Sequence, residues 1–240
     1  MASTAYSKAH ICVVAPYSPI GKGFGGIARS TGAYLAAFST ADIAVDLVCS
    51  LASDGPRHGA PEIEAAFKGL RAHVYRPNLS SRWAIGLGFL FHVVTLIRAN
   101  TILIHGILSL PTIVAAIICR IMNKRFYIVG HATLDTSRNG SLMNKRPLIY
   151  GITRPIIIWA ARGASAILVS GDLEIRYLPV ELRMVQSIVI ENFFSFNIEA
   201  ICQAIASPSR SGSVASITSS AFLALFFISS ITCSLPGEIS

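Results

Sequence analysis

The segment Gly130-His131-Ala132-Thr133-Leu134-Asp135 follows directly on the apolar run Phe126-Tyr127-Ile128-Val129. A short strand that ends in Gly-His and opens into a polar loop presents an imidazole at a strand's carboxyl edge, where open α/β sheets bind ligands. Such a ring can donate a hydrogen bond at neutral pH. A second chemical feature lies near the N-terminus, where Gly21, Gly23, Gly25 and Gly26 precede Ile27-Ala28-Arg29. Gly25 and Gly26 let the backbone come close to a phosphate at the start of a helix, and unpaired N–H groups with the helix dipole favour an anion there. The plain alternative is a flexible loop turning into a helix.

Glycines at 21, 23 and 26 formally match G-x-G-x-x-G. A dinucleotide fingerprint needs that turn tight against its strand and an acidic residue ending the second strand. Here Pro16-Tyr17-Ser18-Pro19-Ile20 intervene before the first glycine, and Asp46 falls inside the second strand. Nicotinamide or flavin binding is therefore not predicted, and no cofactor or metal is.

The elements that must position these groups follow from apolar patterning. Strands are predicted at Ile11–Ala15, Ala44–Cys49, Ala72–Tyr75, Thr101–His105, Arg125–Val129, Ala166–Val169 and Ser187–Ile190. Several are solid Ile/Val/Leu blocks, as suits strands covered on both faces. Helices are predicted at Gly26–Phe38, Pro61–Gly69, Trp83–Ala99, Leu110–Met122, Leu142–Ala161 and Leu173–Leu178. Pro111 fits a first helical turn, whereas Pro147 and Pro155 fall inside the fifth helix and should kink or divide it. Strand-helix alternation predicts an α/β fold: a Rossmann-like parallel sheet with helices on both faces, over residues 1–196.

Composition narrows the partners. The 240 residues are 52% hydrophobic and only 13% charged, against roughly 25% charged in ordinary soluble domains. That excess means a heavily buried sheet, a membrane contact, or both. The net charge of +8 favours anionic partners, but no recognition-helix, zinc-finger or aromatic-basic signature points to nucleic acid. Five scattered cysteines without a C-x-x-C pair suggest neither a disulfide framework nor a zinc site, so a reducing cytoplasm is expected. Ala84–Ile97 is apolar but shorter than the roughly 20 residues a bilayer span needs. Ala99–Cys119 is uncharged yet broken by His105-Gly106 and Pro111.

Beyond Phe196 the alternation stops. Residues 197–240 are Ser-rich and apolar, an unstructured or single-helix tail that reads either as holding a membrane helix at 214–235 or as an out-of-frame extension of the chain.

Five segments, in order over roughly residues 9–196, resemble the N-terminal half of family 4 (group 1) retaining glycosyltransferases. They are the loop with Gly25-Gly26-Ile27-Ala28-Arg29, Thr101–Pro111 with His105-Gly106, Gly130–Asp135, Arg162–Ser170, and Ile188–Phe193. The resemblance implies one half of a GT-B architecture, whose N-terminal domain chiefly binds the acceptor. It implies transfer of a hexose from a nucleotide sugar to a glycan or lipid-linked acceptor, without a metal. In that family the histidine matching His131 lies beside the donor sugar, and the glycine matching Gly25 or Gly26 borders the donor diphosphate.

Gly130 and Ala132 stand where the family has proline and glycine, and Glu191-Asn192-Phe193 lacks the proline and glycine of the interdomain turn. No counterpart of the donor-binding domain follows Phe196, since such a domain needs on the order of 100 residues. The chain is therefore expected to be truncated and poorly active alone. The alternative is a non-catalytic remnant or membrane-tethered acceptor-binding module.

On the acceptor side the candidates are His105, Asp135, Arg138, Lys145 and Arg146, followed along the helix by Arg154 and Arg162. The basic residues could attract a lipid-linked phosphate or an anionic membrane surface, or could simply form a solvated helix face. His105 reads first as a histidine hydrogen-bonded in place, and Asp135 as a loop cap. The expected location is the cytoplasm, peripheral at or anchored to the inner face of the membrane.

Overall fold

The computed structural model describes residues 10–20, 25–51, 58–78, 86–131, 133–134, 147–191 and 216–218. Along the chain run β1 (Ile11–Ala15), α1 (Gly25–Thr40), β2 (Val45–Ser50), α2 (Ala60–Ala66) and β3 (Leu70–Tyr75). A 3-10 helix (Leu87–His92) runs into α3 (Val93–Arg98), followed by β4 (Thr101–His105), α4 (Leu110–Ile121) and β5 (Arg125–Val129). Then come α5 (Pro147–Ala161), β6 (Ala166–Val169), α6 (Asp172–Arg176), a 3-10 turn (Val180–Leu182), β7 (Ser187–Glu191) and the short β8 (Ser216–Thr218).

The strands form one sheet in the order β3-β2-β1-β4-β5-β6-β7-β8, and every pairing is parallel. This is the Rossmann-like α/β fold that the alternation predicts. Alternate residues of each strand feed two cores. Cys12, Val14, Ile102, Ile104, Phe126 and Ile128 pack on one face with α3, α4 and α5. Ile11, Val13, Leu103, Tyr127 and Val129 pack on the other with α1 and α2. β1, β2 and β4 are buried along their whole length, which is why their sequences are largely apolar rather than alternating, with buried Asp46 the charged exception in β2.

Departures from the predicted bounds have local causes. The second helix stops at Ala66 rather than Gly69, because the chain turns extended at Phe67 and Gly69 takes φ +75° to enter β3. The Trp83–Ala99 segment is described from Gly86 onward, and it begins as a 3-10 helix before becoming α3. A side chain at Gly86 would collide with the Arg76 carbonyl, and one at Gly88 would crowd Tyr75 Cβ at 3.0 Å. The fifth helix is described from Pro147 to Ala161 with Pro155 inside it, and Leu142–Arg146 lie outside the described residues. Of the tail, only Ser216–Thr218 is described, as a strand paired to β7 rather than part of a helix; the remainder of 214–235 lies outside the described residues. Among the described residues no helix is long and apolar enough to cross a membrane.

Candidate functional site

Strand order reverses between β1 and β4, so the loops leaving these two strands part to opposite faces and leave a crevice at the sheet's carboxyl edge. Three segments border it. The β1 loop leads into the first turn of α1 at Gly25, β4 ends at His105-Gly106, and β5 ends at Val129 before Gly130-His131. Gly106 has φ +67°, and a side chain there would touch Ile27 Cδ1 and Thr133 Cγ2, each at 3.4 Å. The start of α1 and the loop after β5 therefore converge on one point.

The geometry brings the two histidines together. His105 Nδ1 lies 3.2 Å from His131 Nε2. His105 is fully buried, with the Tyr34 ring edge-on at 4.9 Å. His105 Nε2 has no hydrogen-bond partner among the described residues. Buried N–H donors are almost always paired, whereas acceptor lone pairs go short more often. The hydrogen-bond pattern thus puts the proton of His105 on Nδ1, donating to His131 Nε2, and leaves His131 protonated on Nδ1.

Burial holds both rings neutral. It pushes His131 down to about 4, and His105, buried and beside His131, well below the ordinary imidazole range. The pair is suited to donating a hydrogen bond and unsuited to carrying positive charge near pH 7.

His131 sits at φ +50°, a left-handed conformation that costs a side-chain-bearing residue on the order of 1 kcal/mol or more. Its loop is tied down on both sides. Thr133 donates from its backbone N–H (2.8 Å) and its Oγ1 (2.5 Å) to the Gly130 carbonyl. Thr133 Oγ1 also accepts from Ile107 N–H at 3.4 Å, joining the β5 loop to the β4 loop.

Gly130 is fixed by its surroundings. Its N–H donates to Leu168 O at 2.8 Å, and a Cβ would collide with the Glu174 carboxylate. A proline here would lose that N–H and meet the same carboxylate.

Glu174 is a residue that the sequence analysis misses. It is buried on α6, and its Oε2 accepts from the backbone N–H and the hydroxyl of Ser170, both at 2.9 Å. Its charge, second to burial, pushes the Tyr34 hydroxyl upward. The available signal was a carboxylate four residues beyond a serine that closes a buried strand.

Gly26 is exposed with open space where a Cβ would point, so its backbone is accessible at the start of α1. Asp135, Arg138, Lys145 and Arg146 lie outside the described residues.

No family model matches the chain, and no curated protein matches it. Among solved structures it resembles Phytolacca americana UGT2 complexed with UDP-2-fluoro-glucose and pterostilbene, with TM-score 0.50 and 9% identity. The match covers 84% of this chain and 58% of that one, so the chain spans little more than half the length of this neighbour. A UDP-N-acetylglucosamine 2-epimerase structure from Listeria monocytogenes also aligns, with TM-score 0.49 and 12% identity over 76% of this chain and 45% of that one. At such identity the first likeness shows the fold alone, a Rossmann-like parallel α/β sheet.

Proposed function

We propose that this chain is the acceptor-side half of a nucleotide-sugar-dependent glycosyltransferase of the family 4 kind. It would act on a glycan or lipid-linked acceptor at a membrane surface and need a donor-binding domain to complete the cleft. The observation that carries the proposal is the His105–His131 pair at the topological switch point, 3.2 Å apart, beside the first turn of a 16-residue helix.

In glycosyl transfer the bond from the anomeric carbon to the diphosphate oxygen breaks, negative charge gathers on the departing phosphate, and an acceptor hydroxyl supplies the new bond as its proton passes to that phosphate. The N–H groups that open α1 have no acceptor within the helix and face such charge favourably. A neutral His131 donating from Nδ1 can hold a sugar hydroxyl without placing a second positive charge in the cleft. Fixed donors of this kind act most strongly in a closed, dry site. Catalysis by positioning needs both walls, so little activity is expected from this chain alone.

The test supplies a donor-binding domain from a related enzyme, fused after residue 196, and follows transfer of labelled hexose to endogenous lipid-linked acceptors. Turnover is expected, with His131→Ala lowering it on the order of 100-fold. Unchanged turnover in that variant would remove His131 from the mechanism. A rival nicotinamide-dependent activity predicts protection by the dinucleotide in a thermal shift, and none is expected.

A further inference from the structure

α3, α4 and α5 lie side by side on one face of the sheet, burying Leu96, Ala115, Ala116, Cys119, Ile157 and Ile158 against it. A surface helix ordinarily turns a polar stripe to water. Here the outward side of these helices is apolar as well. Phe91 is 83% exposed, Ile121 70% and Ile152 63%, and Val94, Ile156 and Trp159 are also largely uncovered. Leu110-Pro-Thr-Ile-Val-Ala-Ala-Ile-Ile-Cys-Arg-Ile121, the whole of α4, holds one charged residue. Exposed apolar side chains on three neighbouring helices of one sheet face suit a docking surface.

The charge around it selects the occupant. Between Glu64 and Asp172 the chain carries thirteen lysines and arginines against the single carboxylate Asp135, and Glu181, which packs beside α5, is paired to Arg154 at 2.9 Å. On this face the cations sit where the helices end. Arg98 closes α3 and Arg120 lies over the Trp159 ring at 4.5 Å. Lys124 Nζ donates to the Ile97 and Ala99 carbonyls at 2.5 and 3.2 Å, and Arg162 follows α5. An apolar face rimmed by cations is complementary to acyl chains beneath anionic headgroups. A second copy of the chain would set the same cations against themselves across a two-fold interface.

We infer that the outer face of α3, α4 and α5 docks on an anionic lipid bilayer, with Phe91, Val94, Ile121, Ile152 and Trp159 entering the headgroup boundary. Parallel strands with crossover helices set these helix axes along the sheet, so α4, about 18 Å long, lies in the plane of the membrane surface. The carboxyl-edge crevice then opens alongside the bilayer rather than into it.

The test uses the full chain with vesicles of phosphatidylcholine alone or mixed with phosphatidylglycerol. Binding is expected to be at least ten-fold tighter to the mixed vesicles and to weaken at high salt. Arg98→Gln should weaken it roughly five-fold, and Phe91→Ser with Ile121→Ser at least ten-fold, with far-UV circular dichroism unchanged. In a Trp83→Phe background, brominated acyl chains should quench Trp159. Equal binding to neutral vesicles, wild-type binding by the apolar variant (as when the 197–240 tail is the anchor), unquenched Trp159, or a concentration-dependent dimer abolished by the same substitutions would each overturn the proposal. None of these readouts depends on glycosyl transfer, so its failure and this one are separable.

Discussion

Acidification should weaken the fold through the histidine pair, and His131→Asn isolates that effect. Asparagine tolerates a left-handed backbone, so the substitution removes the imidazole while sparing the φ of +50°. An unfolded imidazole titrates near 6.5, whereas burial holds His131 at about 4 in the folded chain. From about pH 7 to about pH 5 the unfolded state takes up about 0.7 of a proton, nearly all of which folded His131 refuses. Stability is therefore intact above about pH 6.5 and falls with pH toward the folded value, by about 1–2 kcal/mol over that interval for this one ring. His105 is depressed further and adds loss of the same sign. Urea unfolding followed by tryptophan fluorescence at about pH 7, 6 and 5 measures it. Wild type should lose about 1–2 kcal/mol more than His131→Asn between the extremes. Parallel losses in the two proteins would show that His131 is not held neutral by the fold, and the tautomer assignment would go with it.

Gly106→Ala should cost about 1–2 kcal/mol, read as a lowered urea midpoint, because alanine is strained at φ +67° and its methyl meets Ile27 and Thr133. Gly130→Ala should cost more, since its methyl is driven into the Glu174 carboxylate. Adding Glu174→Ala should then cost less than the sum of the single changes, by about 0.5–3 kcal/mol in a double-mutant cycle. At the opposite edge of the sheet, buried Asp46 bonds His10 and His73. Asp46→Ala strands both rings and should destabilise by about 1–3 kcal/mol, again in the urea midpoint.

The strands were legible because a parallel sheet buried on both faces writes itself as solid apolar blocks. Thr101-Ile-Leu-Ile-His105 and Arg125-Phe-Tyr-Ile-Val129 were bounded to the residue. Helix ends were less legible, since they depend on tertiary contact: Gly86 and Gly88 meet Arg76 and Tyr75, at the end of β3 and ten or more residues earlier. The site shows the same division. His105 and His131 were each visible as imidazoles closing a strand, but their pairing needs β4 beside β5 in register, with His105 opposite Val129, and a positive φ two residues on. No local pattern encodes that coincidence. Glu174 was missed because a carboxylate in a short helix reads as solvated charge. Its burial arises only when β6 stands next to β5 and brings Ser170 and Gly130 to it. Parallel topology collects at one edge the residues that follow each strand, so sequence can name the candidates strand by strand while the chemistry lies in which strands become neighbours. Here β1, β4, β5 and β6 are consecutive in the sheet, and that adjacency converts scattered Gly-Gly, His-Gly, Gly-His and Ser-Gly pairs into one crevice.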